Sequence, residues 1–530
     1  HTGGSLGGFE NSAYRLQFLW KPVVRASVLL NVHGWDIDGT ARIFRANILQ
    51  PGTNKLDPGF EQNTVFHDGL NQQDIASQGG VLKADYAFDS GTLTSVTGFE
   101  TVEMYSRGDI DGGFGAVFAP PSGPGIIAFP SESADGIPDL DQFTQEVRFA
   151  SNLGGAFEWL AGVFYFDEDL RAETFSYASF ELGNPQDGYA FQRQNAESYA
   201  VFASVDVSPN DRWKLKSGLR YTHEEKTLSA ERPMPLFFNT ATIAPVTAST
   251  DDDNVSWDLS TTWMLSPQVN LYGRLATGFR APSIQGRILF APDSEGGTNP
   301  ATDGLSVADT EEIVSAEVGF KSELLQRRLR INGTVYRFEV DGQQITAVGG
   351  EYNVATLLNA DKTEGHGVEV DINYAPNRNW LMTLGASYNH TEIKDPGLAV
   401  TRCGGGCIML DPIGPNGVLV DGNPLPHAPE WTFNGILDYR RPVAAGNFTA
   451  SADFGYSSEK QFFLYQSEEF RSDSFELGLR FGYAWSNYGV ALFGRNVTDA
   501  VIVQNGIDFN NLTGMTNEPR MLGLELSFRF

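Results

Sequence analysis

Apolar and polar residues alternate along this chain from end to end, and the polar set is charged. "AYRLQFLW" puts Tyr14, Leu16, Phe18 and Trp20 on one face, and Arg15 and Gln17 on the other. "VSAEVGFK" sets Val314, Ala316, Val318 and Phe320 against Ser315, Glu317, Gly319 and Lys321. "GVEVDINY" sets Val368, Val370, Ile372 and Tyr374 against Gly367, Glu369, Asp371 and Asn373. The closing "MLGLELSFRF" sets Leu522, Leu524, Leu526, Phe528 and Phe530 against Gly523, Glu525, Ser527 and Arg529. Alternation of period two places successive side chains on opposite faces of a strand, and helical periodicity is almost absent. A soluble sandwich and a membrane barrel share this pattern and differ in which face meets solvent.

The connections separate the two. Short ones, among them residues 21–22, 89–91, 208–211, 266–268 and 486–487, alternate with long ones near 38–78, 108–140, 171–194, 231–252, 280–311, 341–360, 393–428, 459–472 and 498–516. Short turns at one end and long loops at the other belong to up-and-down barrels of the outer membrane. Strand patterns begin near 12, 24, 79, 92, 142, 156, 196, 212, 253, 268, 312, 327, 361, 379, 429, 446, 473, 488 and 517, about nineteen in all. Each is long enough for the roughly nine to eleven residues that cross the hydrocarbon. Trp20, Tyr86, Trp213, Tyr221, Trp257, Tyr272, Trp380, Trp431 and Tyr488 fall near strand ends, where interfacial aromatic girdles sit. The expected fold is all-β: a transmembrane up-and-down antiparallel β-barrel with short periplasmic turns and long extracellular loops, occupying residues 1–530 as one domain.

Orientation follows from cost. An Arg or Lys on the lipid face costs about 2–4 kcal/mol at the midplane. The apolar stripe therefore faces lipid, and Arg15, Arg274, Glu317, Lys321, Glu369, Asp371, Arg480, Glu525 and Arg529 face the lumen. There they either line a wet wall or hold whatever fills it.

Charge excludes one class of partner. Lys and Arg number 37 against 66 Asp and Glu, a net −29, so nucleic acid is not expected. No apolar run reaches the length of a membrane helix, which says nothing about a barrel. No His-Glu-x-x-His, Ser/His/Asp spacing or phosphate loop is present, so neither catalysis nor a cofactor is expected. Cys403 and Cys407 enclose three glycines and read first as a loop disulfide, with two free thiols or a metal site as alternatives. Asp109, Asp111, Asp135, Asp139 and Asp141 flank the apolar "AVFAPPSGPGIIAFP" and are either calcium ligands or solvated turn residues. The apolar segment, with Phe118, Ile126, Ile127 and Phe129, is expected to fold inward as a lid.

Several stretches resemble one family, the TonB-dependent outer-membrane receptors. They are "NLYGRLATGFRAPSIQGR" (270–287), "EEIVSAEVGFKSEL" (311–324), "TEGHGVEVDINYAP" (363–376), "FGRNVTDA" (493–500) and the terminal "SFRF", in the family's order. The resemblance implies a barrel of about 22 strands around a plug. The opening residues look like the fourth barrel strand, so about nineteen strands are expected here, with the plug and first strands absent. It also implies energy-coupled import by the TonB complex acting through that plug, in the outer membrane of a Gram-negative bacterium. The implied partners are outer-membrane lipid and lipopolysaccharide, the barrel assembly machinery reading Phe530, and a small-molecule nutrient. A ferric siderophore or iron chelate comes first, then an oligosaccharide, cobalamin or other organic nutrient, with a passive porin-like channel as the rival. Arg280, Arg287, Phe290, Tyr352, Phe462 and Tyr465 are the loop residues expected to touch the ligand.

Overall fold

Hydrocarbon offers no water to backbone N–H and C=O groups, so a spanning chain must pair them internally. This chain does so in one sheet. The computed structural model describes residues 4–529 apart from 117–122, 153, 155, 179–180, 182, 237–240, 292–304, 350–353 and 508–510. Nineteen antiparallel strands, from Phe9–Val23 to Met521–Phe528, pair each with its neighbour in chain order. That is the expected number and order.

The two faces separate as the alternation requires. Val318 pairs with Val335, which pairs with Val368, and all three lie on the exposed outer surface. On the opposite face Arg274 stands beside Glu317, and Glu317 beside Tyr336. Aromatic pairs cluster on the outer face near the short turns, such as Trp213 stacked on Trp263 at 5.8 Å and Trp380 tilted against Tyr439 at 4.8 Å. One expected girdle residue falls elsewhere. Tyr272 shares the lumenal face of Arg274, and its hydroxyl lies 2.7 Å from the Thr334 hydroxyl. Its position near a strand end was a weaker guide than its parity with an arginine.

Glycines sit opposite aromatic rings on neighbouring strands. Gly319 pairs with Tyr272 and Gly367 with Tyr336. A Cβ on Gly319 would lie 2.6 Å from the Tyr272 ring, and one on Gly367 would lie 2.5 Å from the Tyr336 hydroxyl. The ring covers backbone that a side chain would have displaced.

Three expected long loops are largely strand. Phe157–Tyr177 and Gln186–Asn210 run through 171–194, Trp213–Met234 and Ile243–Ser266 through 231–252, and Leu329–Gly349 and Val354–Tyr374 through 341–360. The hydrogen-bond ladder continues past the lipid because each strand still has its neighbour to pair with. A 25-residue strand is about 80 Å long, far more than an approximately 30 Å hydrocarbon layer needs even when tilted.

The apolar interior lies in the loops. One cluster joins Ile48, Leu49, Phe462, Phe470, Val503 and Leu512; another contains Ile345, Ile393, Val400, Val418, Leu464 and Tyr465. Among the described residues no ladder joins the first strand to the last. The loops nearest these edges meet instead: Arg45 and Gly514 exchange two backbone hydrogen bonds of 3.0 Å, and Asn47 N–H donates to Asn511 O at 2.8 Å.

Placing charge on the outer face should be costly. Val318→Arg is expected to lower the unfolding free energy by about 2–4 kcal/mol, and lumenal Glu317→Gln by less than about 1 kcal/mol. Denaturant titration of the full-length protein in lipid vesicles checks the difference.

Candidate functional site

The loops form a mouth at the end of the sheet opposite the short turns, and buried carboxylates hold it. Asp109 Oδ2 accepts the N–H groups of Asp68 and Gly69, each at 2.9 Å. Glu132 accepts from Leu70 N–H at 3.1 Å, from Asn184 at 2.6 Å and from Arg107 at 2.6 Å. The Arg107 guanidinium also lies 3.4 Å above the Tyr177 ring. Asp111 accepts from Gly113 N–H at 2.8 Å and Ser131 N–H at 2.6 Å, and its carbonyl accepts from Asn511 and Thr513. Loop backbone that leaves a sheet has unpaired donors, and these acids supply the acceptors. Burial first, and then the Asp109 carboxylate, push the Asp111 carboxyl well above the ordinary carboxylate range.

This differs from calcium ligation. Asp109 and Asp111 are buried and bonded to amides, whereas Asp135, Asp139 and Asp141 are exposed along the strand Glu132–Ser151. Asp135 faces Thr174 at 3.1 Å and Arg287 at 3.7 Å. The five do not gather. Among the described residues one group has metal-ligating geometry: His223, Glu225 and Asp251, on the outer face with Tyr221. His223 is already satisfied by Asp253 at 2.9 Å and Glu225 at 3.1 Å. Ile127, in the expected lid, is fully buried under the mouth, and Phe118 lies outside the described residues.

The expected ligand residues do not converge. Arg280, at the end of the strand Val269–Arg280, faces Glu311 at 3.5 Å. Arg287 faces Asp135 and lies 5.1 Å above the Phe290 ring. Both arginines thus sit against carboxylates. Phe462 and Tyr465 are buried in the loop cores, and Tyr352 lies outside the described residues. Phe462 and Tyr465 nevertheless line a cavity of about 290 Å³ together with Phe463, His427, Val400 and Asn505. His427 is the residue that sequence reasoning passed over. Its backbone is left-handed at φ 56°, its N–H donates to Gln461 O at 2.9 Å, and its ring stacks on Phe462 at 5.6 Å. Burial, and then Lys460, lower its pKa, so the ring is neutral at physiological pH. Left-handed backbone in a non-glycine residue is a local cost that clusters at functional sites; a neighbouring proline, Pro426, was the only local signal.

On the lumenal wall, Arg274 Nε bonds Asp258, Arg480 bonds Glu525 at 2.8 Å, and Lys321 lies 5.6 Å above the Tyr272 ring. Glu317 and Arg15 stand on the same face, Arg15 opposite His33. Glu369 pairs with Thr334 and Ser387, and Asp371 with Asn332 and Gly385. Arg529 lies just past the last strand, its N–H on Asn487 O at 2.9 Å, and Phe530 is outside the described residues. Cys403 and Cys407 are bonded through their Sγ atoms and pack against the loop cores.

A nineteen-strand sheet with a charged inner wall and a loop-built mouth has close structural counterparts. Residues 29–469 match the family described as TonB dependent receptor-like, beta-barrel. The chain belongs to this family. A curated relative, the probable TonB-dependent siderophore receptor PiuA of Acinetobacter baumannii, is 22% identical over 266 residues, which is 49% of this chain and 32% of that protein. The match thus spans about a third of the relative's length. Among solved structures, the ferric yersiniabactin uptake receptor FyuA from Yersinia pestis superimposes with a TM-score of 0.75 at 14% identity, covering 99% of this chain and 71% of that one. The siderophore receptor PiuA from Acinetobacter baumannii gives 0.72 at 14% identity, covering 98% and 74%. At these identities the superpositions establish the receptor fold.

Two outcomes follow from the mouth. A carboxyl whose pKa is raised on folding stabilises fully below its unfolded pKa and loses that contribution as pH rises through the folded value. Protease cleavage within residues 110–131 should therefore accelerate from about pH 5 to about pH 9, and Asp109→Asn should flatten the rise; cleavage assays on the full-length protein measure both. Cys403 and Cys407 should resist thiol labelling on intact cells until reductant is added.

Proposed function

We propose that this chain is the barrel of an outer-membrane receptor that captures a scarce nutrient at its loop-covered mouth and releases it to the periplasm. TonB drives the step through a plug, and further strands of a longer chain close the free edges of the first and last strands. The cargo we favour is a ferric siderophore or another iron chelate. Membership of the receptor family across residues 29–469 carries this reading. The named activities of the siderophore receptor PiuA and the yersiniabactin receptor FyuA support the cargo.

The chain's own residues bind and hold; no covalent step is assigned to them. Paired charges on the inner wall, such as Arg480 with Glu525, give a plug fixed partners for its polar groups. Lipid, with lipopolysaccharide outside, covers the apolar stripe, and the barrel assembly machinery reads the terminal aromatic. A second reading, an organic nutrient such as an oligosaccharide or cobalamin, draws on the aromatic lining of the 290 Å³ cavity.

Deleting the gene in its host is expected to abolish saturable uptake of radiolabelled iron chelates under iron limitation, and deleting TonB should do the same. Uptake that persists without TonB would indicate a passive channel. Induction by a sugar rather than by iron starvation would overturn the choice of cargo.

A further inference from the structure

Charge is not spread evenly between the two ends of this sheet. With 66 acids against 37 bases, acids outnumber bases in a stretch of average composition. Three short turns reverse that: "LQRRLR" (325–330), "APNRNW" (375–380) and "YRRPVAA" (439–445) hold six arginines and no Asp or Glu. The strands from Glu311–Leu324 to Gly446–Gln461 are consecutive in the ladder, so the turns lie side by side. Ala375 N–H donates to Arg328 O at 2.8 Å, Arg328 Nη1 to Pro376 O at 3.3 Å, and Arg440 N–H to Asn379 O at 2.7 Å. Trp380 pairs with Tyr439, and the same register sets Arg378 opposite Arg441. Glu323 takes Arg330 at 2.9 Å and Arg327 at 3.5 Å. Arg330 and Arg440 have lumenal parity, Arg440 sharing its face with Asp438. Arg328, Arg378 and Arg441 are exposed and form no ion pair among the described residues. At other short turns the cation meets an acid, as Arg25 does Asp89 at 2.7 Å and Lys216 does Asp206 at 3.6 Å. Neighbouring strands lie about 5 Å apart, so like charges set side by side repel unless an external anion stands between them.

The neighbouring aromatics indicate which anion. Arg441 is on the outer face, opposite Phe448, which is opposite Tyr483. Trp380 and Tyr439 lie one step further into the sheet, and Tyr483, Trp485 and Tyr488 carry the aromatic row on to Phe528. Aromatic rows of this kind stand at the headgroup level of a membrane. Arginines at the end of that row therefore reach phosphate depth, their stems lying over apolar surface. We propose that the turns 325–328, 375–379 and 440–445 form a binding surface for anionic phospholipid, with Arg328, Arg378 and Arg441 holding the headgroup phosphates. A guanidinium matches a phosphate in two parallel hydrogen bonds. The acyl chains continue along the apolar stripe that begins at the same rim. An acidic protein would satisfy the arginines but would leave the aromatic row without a partner. This goes beyond the receptor reading and rests on it only for setting the short turns at the periplasmic leaflet.

Titration of the full-length receptor in neutral detergent with phosphatidylglycerol, and with phosphatidylcholine of the same acyl chains, tests the surface, bound lipids being counted by native mass spectrometry. The anionic lipid should bind at least about tenfold more tightly, since each basic residue near such headgroups is worth about fivefold. Arg378→Gln combined with Arg441→Gln should remove about tenfold of that preference. Arg171→Gln combined with Arg193→Gln, the same loss of charge near the loop end of the sheet, should leave it unchanged, because those arginines already face Glu173 and Asp169. Glycerol 3-phosphate at equal concentration should not displace the lipid. Equal affinity for the two lipids, an equal loss in both double variants, or displacement by glycerol 3-phosphate would each overturn the proposal. Heat-dependent gel migration verifies that the variants are folded. The titration contains neither iron nor TonB, so failure of iron uptake would sink the cargo reading and leave this result standing.

Discussion

Everything in this molecule depends on backbone pairing in a solvent that offers no hydrogen bonds. Each spanning strand must find neighbours, and chain-order antiparallel pairing supplies two to every strand between Phe9–Val23 and Met521–Phe528, with no crossover. Once that ladder exists, side-chain direction follows from parity alone. Val318, Val335 and Val368 are delivered to the outer face, and Arg274 and Glu317 to the inner one, by the same geometry. The wall needs no hydrophobic centre, and among the described residues the buried apolar clusters lie in the loops and in the strand ends that reach them.

The loops face the opposite difficulty. They meet water but lack a ladder, so their amides need acceptors. Asp109, Asp111 and Glu132 provide them, and the cost falls on Asp111, whose carboxyl is pushed up by burial and then by the neighbouring Asp109. The mouth is thus held by acids.

How much could be read from the sequence divides along the same line. The strands, their number and their faces were legible because one misplaced charge in hydrocarbon outweighs any local preference. Tyr272 was legible too, had its two-residue spacing from Arg274 been weighed above its place near a strand end. The loop residues were not. An aspartate that ligates an ion and one that accepts an amide hydrogen bond look alike until the chain folds around them, as Asp109 and Asp111 illustrate. Phe462 and Tyr465 looked like exposed loop aromatics, but a long loop needs its own core, and these rings supply it.

The rings laid over glycines act as a key against sliding. In a sheet whose outer stripe is uniformly greasy, a shift of two residues along a strand would keep lipid and lumen faces correct and cost little by polarity alone. It would also slide Tyr272 off Gly319 onto Glu317 or Lys321, and in one direction Tyr336 off Gly367 onto Glu369. The alternation chooses the side each residue faces; the glycines choose the rung.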